Sequence, residues 1–110
     1  MNVHIKDSIK HEIQEQISSN PILLYMKGSP NTPQCGFSQR ASQLLIDCGK
    51  PFSFIDILSN PEIRENLPKV SDWPTFPQLF INGELIGGSD IISLMHENGE
   101  LQEMIKDINP

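Results

Sequence analysis

The sequence feature that most constrains the fold is a run of five apolar residues, Ile22 to Met26, which stops abruptly at a loop. A short apolar run without polar alternation is typical of a strand that is buried on both faces. The loop, Lys27 to Gln34, contains one glycine and two prolines, so it continues neither a strand nor a helix. A helix-like pattern follows from Gly36. We therefore expect a central buried strand and a loop that delivers Cys35 to the first turn of a helix.

The segments around this loop alternate between helix and strand patterns. Apolar side chains recur at helical spacing from Phe37 to Cys48, Gly49 suits the position after that helix, and the alternation of Phe52–Asp56 predicts a second strand. A strand, a helix and a strand in this order form a parallel pair with a right-handed crossover. The other predicted elements are a helix from about Asp7 to Asn20, a helix capped by Asn60 and Pro61 and limited by Pro68, a hairpin of 78–86 turning at Asn82-Gly83, a helix begun by Ser89-Asp90, and a last helix of 101–108.

This order of elements predicts an α/β fold. A parallel strand–helix–strand unit followed by a hairpin and a helix makes one four-stranded mixed sheet with helices on both faces. The length of 110 residues suits one domain, residues 1–110. Such sheets place their sites at the carboxyl ends of parallel strands, and the first strand ends where the loop before Cys35 begins.

Composition and charge exclude several classes of partner. The net charge of -6 is the wrong sign for nucleic acid or an anionic membrane surface. No apolar run approaches the ~18 residues of a membrane span, and the N-terminus has no signal-peptide pattern, so we expect a cytoplasmic protein. Cys35 and Cys48 fall in or at the ends of one predicted helix, ~20 Å apart, which is too far for a disulfide and consistent with a reducing compartment.

Cys35 is the candidate reactive residue. The first turn of a helix offers free backbone N–H groups and the positive end of the helix dipole, which acidify a thiol. The alternative is a buried structural cysteine. Ser38 stands where a second cysteine would complete a Cys-x-x-Cys redox pair, so chemistry at Cys35 needs an external thiol or a metal. Cys48, at the far end of the helix, is interpreted as a core residue.

Two further stretches are open to two interpretations each. Pro77, in Thr75-Phe76-Pro77, either shapes a turn in the trans form or adopts the rarer cis form. Gly87-Gly88-Ser89-Asp90 is either a plain strand-to-helix turn or a place where a ligand approaches the backbone and a helix start. Lys27 is equally consistent with a partner of Cys35 and with a solvated surface residue. The pattern alone does not decide among these.

Three stretches, taken together, resemble the CGFS-type monothiol glutaredoxins. They are Lys27-Gly28-Ser29-Pro30 with Pro33-Gln34-Cys35-Gly36-Phe37-Ser38, then Trp73-Pro74-Thr75-Phe76-Pro77-Gln78-Leu79, then Gly83-Glu84-Leu85-Ile86-Gly87-Gly88-Ser89-Asp90. The resemblance covers roughly Ile9 to Ile108 and favours the short, single-domain members. It implies a thioredoxin-like fold with a cis Pro77 near the active site.

The resemblance implies a glutathione site. Lys27 and Arg64 would face the glycine carboxylate of glutathione, and Phe76 would offer its backbone N–H and C=O to the cysteinyl part. Ser89 and Asp90 would hold the γ-glutamyl end, with each charged group of the ligand meeting a complementary one. The supporting residues of this site are Thr75, Pro77 and Gly88. Some members carry a cysteine at the position of Ser89, and this chain therefore lacks that third thiol.

The resemblance also implies that Cys35 holds a 2Fe-2S cluster shared with a dimer partner. Such a cluster takes four thiolates, which one cysteine and one glutathione from each of two subunits would supply. The implied function is storage and transfer of iron–sulfur clusters and iron homeostasis, with a homodimer, a BolA-like protein and apo iron–sulfur proteins as partners. The alternative is a glutathione-dependent thiol–disulfide oxidoreductase that removes glutathione from proteins by a monothiol mechanism. Whether the chain is chiefly an enzyme is left open at this point.

Overall fold

The structure, a computed structural model, describes residues 5–109. Its five helices within that range are α1 (Asp7–Ser19), α2 (Gly36–Asp47), α3 (Pro61–Ser71), α4 (Ser89–Glu97) and α5 (Glu100–Ile105). Its strands are β1 (Ile22–Met26), β2 (Gly28–Ser29), β3 (Thr32–Pro33), β4 (Ser53–Asp56), β5 (Gln78–Ile81) and β6 (Glu84–Gly87). In this part of the chain, no helix combines the length and the apolar character needed to cross a membrane.

The main sheet has four strands in the order β4-β1-β5-β6. Strand β1 runs parallel to β4 and antiparallel to β5, so Tyr25 lies opposite Ile55 on one side and Gln78 on the other. The predicted mixed sheet is therefore confirmed. The turn between β5 and β6 has positive φ angles at both Asn82 and Gly83, as the Asn-Gly signal predicts.

Strand β1 is buried on both faces because each face carries its own core. Ile22, Leu24 and Met26 pack with residues of α2, α4 and α5, whereas Leu23 and Tyr25 pack with residues of α1 and α3. The five-residue apolar run thus fills the middle of a three-layer arrangement. The carboxyl ends of β1 and β4 lie together, and Ile57 N donates to Met26 O at 2.9 Å just beyond the paired strands.

The predicted limit of the third helix at Pro68 is wrong. Helix α3 continues through Pro68 to Ser71 and ends at Asp72, which has a left-handed φ of 54°. It continues because the segment after Pro68 still packs on the core: Leu67 is fully buried and Val70 lies against the same cluster. A single proline removes one helical hydrogen bond, and the apolar contacts of this face outweigh that loss.

The predicted side-chain caps are also wrong. Asn60 occupies the N-cap position of α3, but its Nδ2 donates to Asp56 O at 2.9 Å instead of its oxygen accepting from the helix. At α4 the N-cap residue is Gly88, so Ser89 and Asp90 are the first two helical residues and neither caps the helix. In each helix the N-cap carbonyl accepts the first helical hydrogen bond, from Arg64 N or Ile92 N, but the expected side-chain bond is missing.

The loop before Cys35 contains a small hairpin, β2–β3, which the sequence analysis did not predict. Gly28 pairs with Pro33, and Gln34 N donates to Lys27 O at 2.9 Å. Gly28 has a φ of 87°, and a Cβ at this position would collide with Thr32 O. Only glycine suits both the backbone angle and the close approach of the two strands.

Candidate active site

Cys35 is the N-cap residue of α2. Its extended backbone (φ −154°, ψ 157°) turns the chain into the helix, and its Sγ accepts a hydrogen bond from Ser38 N at 3.3 Å. This side chain therefore does the work of the Ser, Asp or Asn usually found at an N-cap. Cys35 is half-buried and carries a free thiol.

The Ser38 hydroxyl connects Cys35 to the start of the loop. Ser38 is fully buried, and its Oγ lies 3.3 Å from Cys35 Sγ and accepts from Lys27 N at 3.0 Å. Because a backbone N–H occupies one lone pair of this oxygen, the hydroxyl proton is free to point to the sulfur. The serine thus serves as a donor to a Cys35 thiolate.

The pKa of Cys35 lies below its ordinary value. Partial burial of the thiol acts to raise the pKa, but hydrogen bonds from the Ser38 side chain, Ser38 N and Phe37 N together with the charge of Lys27 outweigh that effect. Burial and the neighbouring Asp47 raise the pKa of Cys48. The two cysteines therefore differ in reactivity, and Cys35 is the one that forms a thiolate more readily.

Asp56 holds the loop before Cys35 in place through hydrogen bonds. At the end of β4, its Oδ1 accepts from Gly28 N and Leu58 N, both at 2.9 Å, and its Oδ2 accepts from the Ser59 hydroxyl at 3.0 Å. Partial burial acts to raise the pKa of this carboxyl, but the hydrogen bonds hold it below the usual range. A charged Asp56 thus anchors the loop before Cys35, at Gly28 of β2, to the end of β4.

A groove of about 750 Å³ is lined by Lys27 and Phe37, which lie on either side of Cys35 along the chain. It contains every residue that the resemblance assigned to glutathione: Lys27, Arg64, Thr75, Phe76, Pro77, Gly88, Ser89 and Asp90. Cys35 itself is not among the lining residues, but Phe37, two positions later, is. The fold therefore gathers residues from the Cys35 loop, α3, the connector before β5 and the start of α4 into one concave surface.

The connector before β5 has the backbone form that the resemblance implies. The Phe76–Pro77 peptide bond is cis. Pro77 is buried, whereas Thr75 beside it is exposed to the groove. The connector thus presents backbone at the groove edge and anchors itself in the protein interior.

The groove carries charges that have no ionic partner in the described part of the chain. Lys27, Arg64 and Asp90 line it, and none of them takes part in an ion pair among residues 5–109. Two cations and one carboxylate in one groove suit a ligand that bears two anionic groups and one cationic group.

Two buried polar atoms in the groove wall lack a hydrogen-bond partner within residues 5–109. They are the hydroxyl oxygen of Ser89, a residue that is 6% exposed, and the indole Nε1 of Trp73. Unsatisfied buried polar atoms are costly, and they concentrate where a ligand or water completes the bonding. Both residues line the same groove, so this wall has spare hydrogen-bonding capacity.

Five residues of the groove were not predicted to belong to a functional site. They are Phe37, Pro68, Trp73, Pro74 and Ile91. Phe37 shares its helical spacing with Ala41 and Leu45, which are buried, but it is itself 65% exposed and lines the groove. Its position in the first turn, directly beside the reactive cysteine, was the signal that it faces the site. Trp73 and Pro74 lay inside a quoted motif without a stated function.

Cys48 lies away from this groove. It follows α2, is half-buried, and packs against the core cluster of α2, α4 and α5. Its free thiol confirms that the two cysteines form no internal disulfide. The interpretation of Cys48 as a core-facing residue agrees with this packing.

Comparison with known proteins identifies the family. The glutaredoxin family profile matches residues 22–86. Glutaredoxin 4 of Escherichia coli (strain K12) is 59% identical over 96 residues, which cover 87% of this chain and 84% of that protein. Among solved structures, reduced poplar apo GrxS14 is similar with a TM-score of 0.76 and 43% identity, covering 89% of this chain and 90% of that one. A monomeric truncated mutant of Trypanosoma brucei 1-C-Grx1 has a TM-score of 0.80 and 36% identity, covering 96% and 93%.

These likenesses span most of the chain and include the cysteine loop, the cis-proline connector and the start of α4. The fold is accordingly thioredoxin-like. With one cysteine in its Cys-Gly-Phe-Ser turn, the chain belongs to the glutaredoxin family, in its monothiol form.

Proposed function

We propose that this glutaredoxin binds glutathione in the groove and, as a homodimer, carries a 2Fe-2S cluster for iron–sulfur cluster storage and transfer and for iron homeostasis. The observation that supports this most directly is that Cys35, with its lowered pKa, has a hydroxyl rather than a second thiol beside it. A thiolate without a thiol neighbour must take its partner from outside the chain. The adjoining groove offers a place for a thiol-bearing ligand.

The charges of the groove match those of glutathione. Lys27 and Arg64 would pair with the glycine carboxylate, and Asp90 would pair with the γ-glutamyl ammonium group. The unpartnered hydroxyl of Ser89 would donate to the γ-glutamyl carboxylate at the start of α4, where helix N–H groups also favour an anion. The backbone of Phe76 lies between these groups along the chain and would hold the cysteinyl part.

A direct test measures glutathione binding by NMR titration of the reduced protein. Arg64→Gln is expected to weaken binding by about fivefold to tenfold, as the loss of one charge-assisted hydrogen bond implies. Lys69→Gln is the matched control, because Lys69 is an exposed cation on the same helix and does not line the groove. Equal affinity for the Arg64 variant and the wild type would contradict the assignment of this groove.

Ligand number is consistent with the cluster that the resemblance implies. Among residues 5–109, no group of three or more His, Cys, Asp or Glu side chains is placed to hold a metal ion. One Cys35 and one glutathione thiol from each of two subunits give the four thiolates that the cluster needs. Cys35 suits this role because it is half-buried, lies two residues before Phe37 of the groove, and its thiol loses its proton readily.

This proposal also includes the partners. The holo-homodimer would deliver its cluster to apo iron–sulfur proteins, and one subunit would be replaced by a BolA-like protein in a heterodimer. The acidic surface implied by a net charge of -6 suits protein partners rather than nucleic acid. We place these events in the cytoplasm.

Anaerobic reconstitution with iron, sulfide and glutathione tests the cluster. The wild type is expected to develop visible absorption and to elute as a dimer. Cys35→Ser, or the omission of glutathione, should abolish both signals, whereas Cys48→Ser should leave them unchanged because Cys48 lies away from the groove. Persistence of the cluster without Cys35 or without glutathione would overturn the proposal.

The second candidate is glutathione-dependent oxidoreductase activity, and the lowered pKa of Cys35 favours it. In this reaction the Cys35 thiolate attacks the glutathione sulfur of a protein–glutathione mixed disulfide. A new Cys35–glutathione disulfide forms as the protein thiolate leaves. A second glutathione thiolate then attacks the glutathione sulfur of that disulfide, which releases glutathione disulfide and restores the Cys35 thiolate.

Turnover of a small glutathione mixed disulfide separates the two candidates. Slow turnover together with a stable reconstituted dimer supports the cluster role. Fast turnover with no reconstituted cluster would instead establish the enzyme. Both activities use Cys35, so Cys35→Ser removes either one and the wild-type comparison is the informative measurement.

A further inference from the structure

Gln78 is a fully buried amide next to the groove, and it does not line the groove itself. It is the first residue of β5 and directly follows Pro77. Its Nε2 donates to Trp73 O at 2.9 Å and to Thr75 O at 3.2 Å. Both side-chain protons of one residue are therefore used to hold one short segment of backbone.

These two hydrogen bonds hold the connector, residues 73–77, in place. Among residues 5–109, no other hydrogen bond outside the regular helices and strands involves this connector. Trp73, Pro74 and Thr75 belong to no regular element, and the last two are exposed. Without Gln78, two carbonyl groups would lose the one donor found for them within residues 5–109, and the connector would turn them toward water.

The burial of Gln78 leaves one of its two polar side-chain atoms without a hydrogen bond. Its Oε1 is buried without a hydrogen-bond partner among the described residues. An apolar side chain in the same space would avoid the cost of burying this oxygen but would leave the carbonyls of Trp73 and Thr75 without this donor. What the glutamine adds is the fixed position of the carbonyls that it binds.

The connector in turn supports the start of α4. Gly88 leaves so little room that a Cβ would lie 3.4 Å from Trp73 Nε1 and 3.3 Å from Pro77 O. A shift of the connector therefore moves the surface against which Gly88 rests. Through Trp73, the bonds of Gln78 reach the turn that carries Ser89.

We infer that Gln78 is a positioning residue that sets the ligand-binding geometry of the groove. It fixes the backbone around Thr75 and Phe76 and, through Trp73, the turn at Gly88. This inference rests on the proposed function, because the ligand whose binding it supports is glutathione. Gln78 does not touch the ligand and acts only through the residues that it holds.

The test compares Gln78→Met with Gln102→Met. Methionine is unbranched and flexible, so it occupies the volume of glutamine without a donor. Gln102 is the matched control because its Oε1 is also buried and unpartnered and its Nε2 also donates to a backbone carbonyl, His96 O at 3.2 Å. It lies in α5 and does not line the groove.

Gln78→Met is expected to weaken glutathione binding by about tenfold, or ~1.4 kcal/mol, in an NMR titration of the reduced protein. Gln102→Met should bind as tightly as the wild type. The pKa of Cys35, followed by thiolate absorbance, should be the same in both variants, because its hydrogen bonds come from Ser38 and Phe37. A general loss of structure would move that pKa as well.

The outcomes separate this inference from the proposed function. If the wild type does not bind glutathione, both are wrong. If the wild type binds and Gln78→Met binds equally well, or if Gln102→Met is impaired to the same extent, the positioning role alone is wrong.

A measurement on the wild type covers the case in which Gln78→Met does not fold. The side-chain amide protons of Gln78 are expected to shift when glutathione is added, whereas those of Gln102 are not. Unchanged Gln78 signals at saturating glutathione would overturn the inference.

Discussion

Ser38 Oγ lies 3.3 Å from Cys35 Sγ, at the position where a dithiol protein would carry its second sulfur. The hydroxyl occupies that place in the bonding pattern but forms no covalent bond to Cys35. It stabilises the thiolate and leaves the sulfur available to an external partner. Because a serine oxygen stands beside Cys35 in place of a second sulfur, the chain cannot run an internal disulfide cycle here, and the chemistry of Cys35 depends on a second molecule.

Replacing Ser38 by alanine is expected to raise the pKa of Cys35, because the side-chain hydrogen bond to the thiolate is lost. The thiolate fraction at neutral pH falls accordingly. The backbone N–H of Lys27 also loses its acceptor, so the free energy of unfolding should drop by about 1–3 kcal/mol. Thiolate absorbance against pH and urea unfolding measure the two effects.

Ser42→Ala is the control for this variant. Ser42 is also buried on α2, but its hydroxyl donates to Gln39 O at 3.1 Å instead of contacting Cys35. It should leave the titration of Cys35 unchanged. The same pKa in Ser38→Ala and the wild type would show that the hydroxyl does not stabilise the thiolate.

Gly28→Ala is expected to disrupt the hairpin that carries the loop to Cys35. The positive φ of 87° disfavours alanine, and its Cβ would collide with Thr32 O. Gly49→Ala is the matched control, because Gly49 has a φ of 78° but nothing within 4 Å of a Cβ. The control should lose about 1–2 kcal/mol from the backbone angle alone, and Gly28→Ala at least ~1 kcal/mol more from overpacking. Equal losses in urea unfolding would mean that the hairpin relaxes freely.

Asp56 gives the fold a dependence on acid pH. Its pKa is lower in the folded than in the unfolded chain, so its charge stabilises the fold above the unfolded value of ~3.9. That contribution is lost as the pH falls through the folded pKa. Asp56→Asn should lower the free energy of unfolding by about 1 kcal/mol at pH 7. The difference in the free energy of unfolding between the variant and the wild type should become smaller below about pH 4. A gap that stays constant from pH 7 to pH 3 would contradict the role of the charge.

Ser89→Ala is expected to affect binding and stability in different ways. The hydroxyl of Ser89 is buried without a partner within residues 5–109, so its removal should leave the free energy of unfolding unchanged or raise it. Glutathione binding should weaken by about fivefold, the value of one hydrogen bond of ~1 kcal/mol. Calorimetric melting and NMR titration report the two quantities. Unaltered affinity would remove Ser89 from the proposed site.

Sequence patterns predicted the elements of this fold better than the details of their ends. The apolar run of β1 and the Asn82-Gly83 turn depend on burial and on backbone angles that few residues tolerate, so these signals were reliable. The limit at Pro68 was wrong because the contacts of Leu67 and Val70 with the sheet decide whether α3 continues. Local propensity gives way to tertiary packing at such positions.

The residues of the candidate site also fall into those that local sequence patterns predict and those that depend on tertiary structure. Cys35 at the first turn of a helix was a local prediction, and the structure places it there. Helical spacing grouped Phe37 with Ala41 and Leu45, but spacing says which residues share a face and not what each of them contacts. The link from Asp56 to Gly28 and the link from Gln78 to Trp73 left no sequence signal, since each joins elements through hydrogen bonds that depend on folded geometry.

The sequence by itself determined the elements and the chemistry of the key position: a buried central strand, a loop that ends in a cysteine at a helix start, and a serine in place of a second thiol. These follow from residue type and spacing, which act over a few positions along the chain. Only the tertiary structure decided that Lys27, Arg64, Ser89 and Asp90 share one groove and that the Ser89 hydroxyl has no hydrogen-bond partner there among the described residues. A groove is built from segments far apart in sequence, and its geometry exists only once the sheet has brought them together.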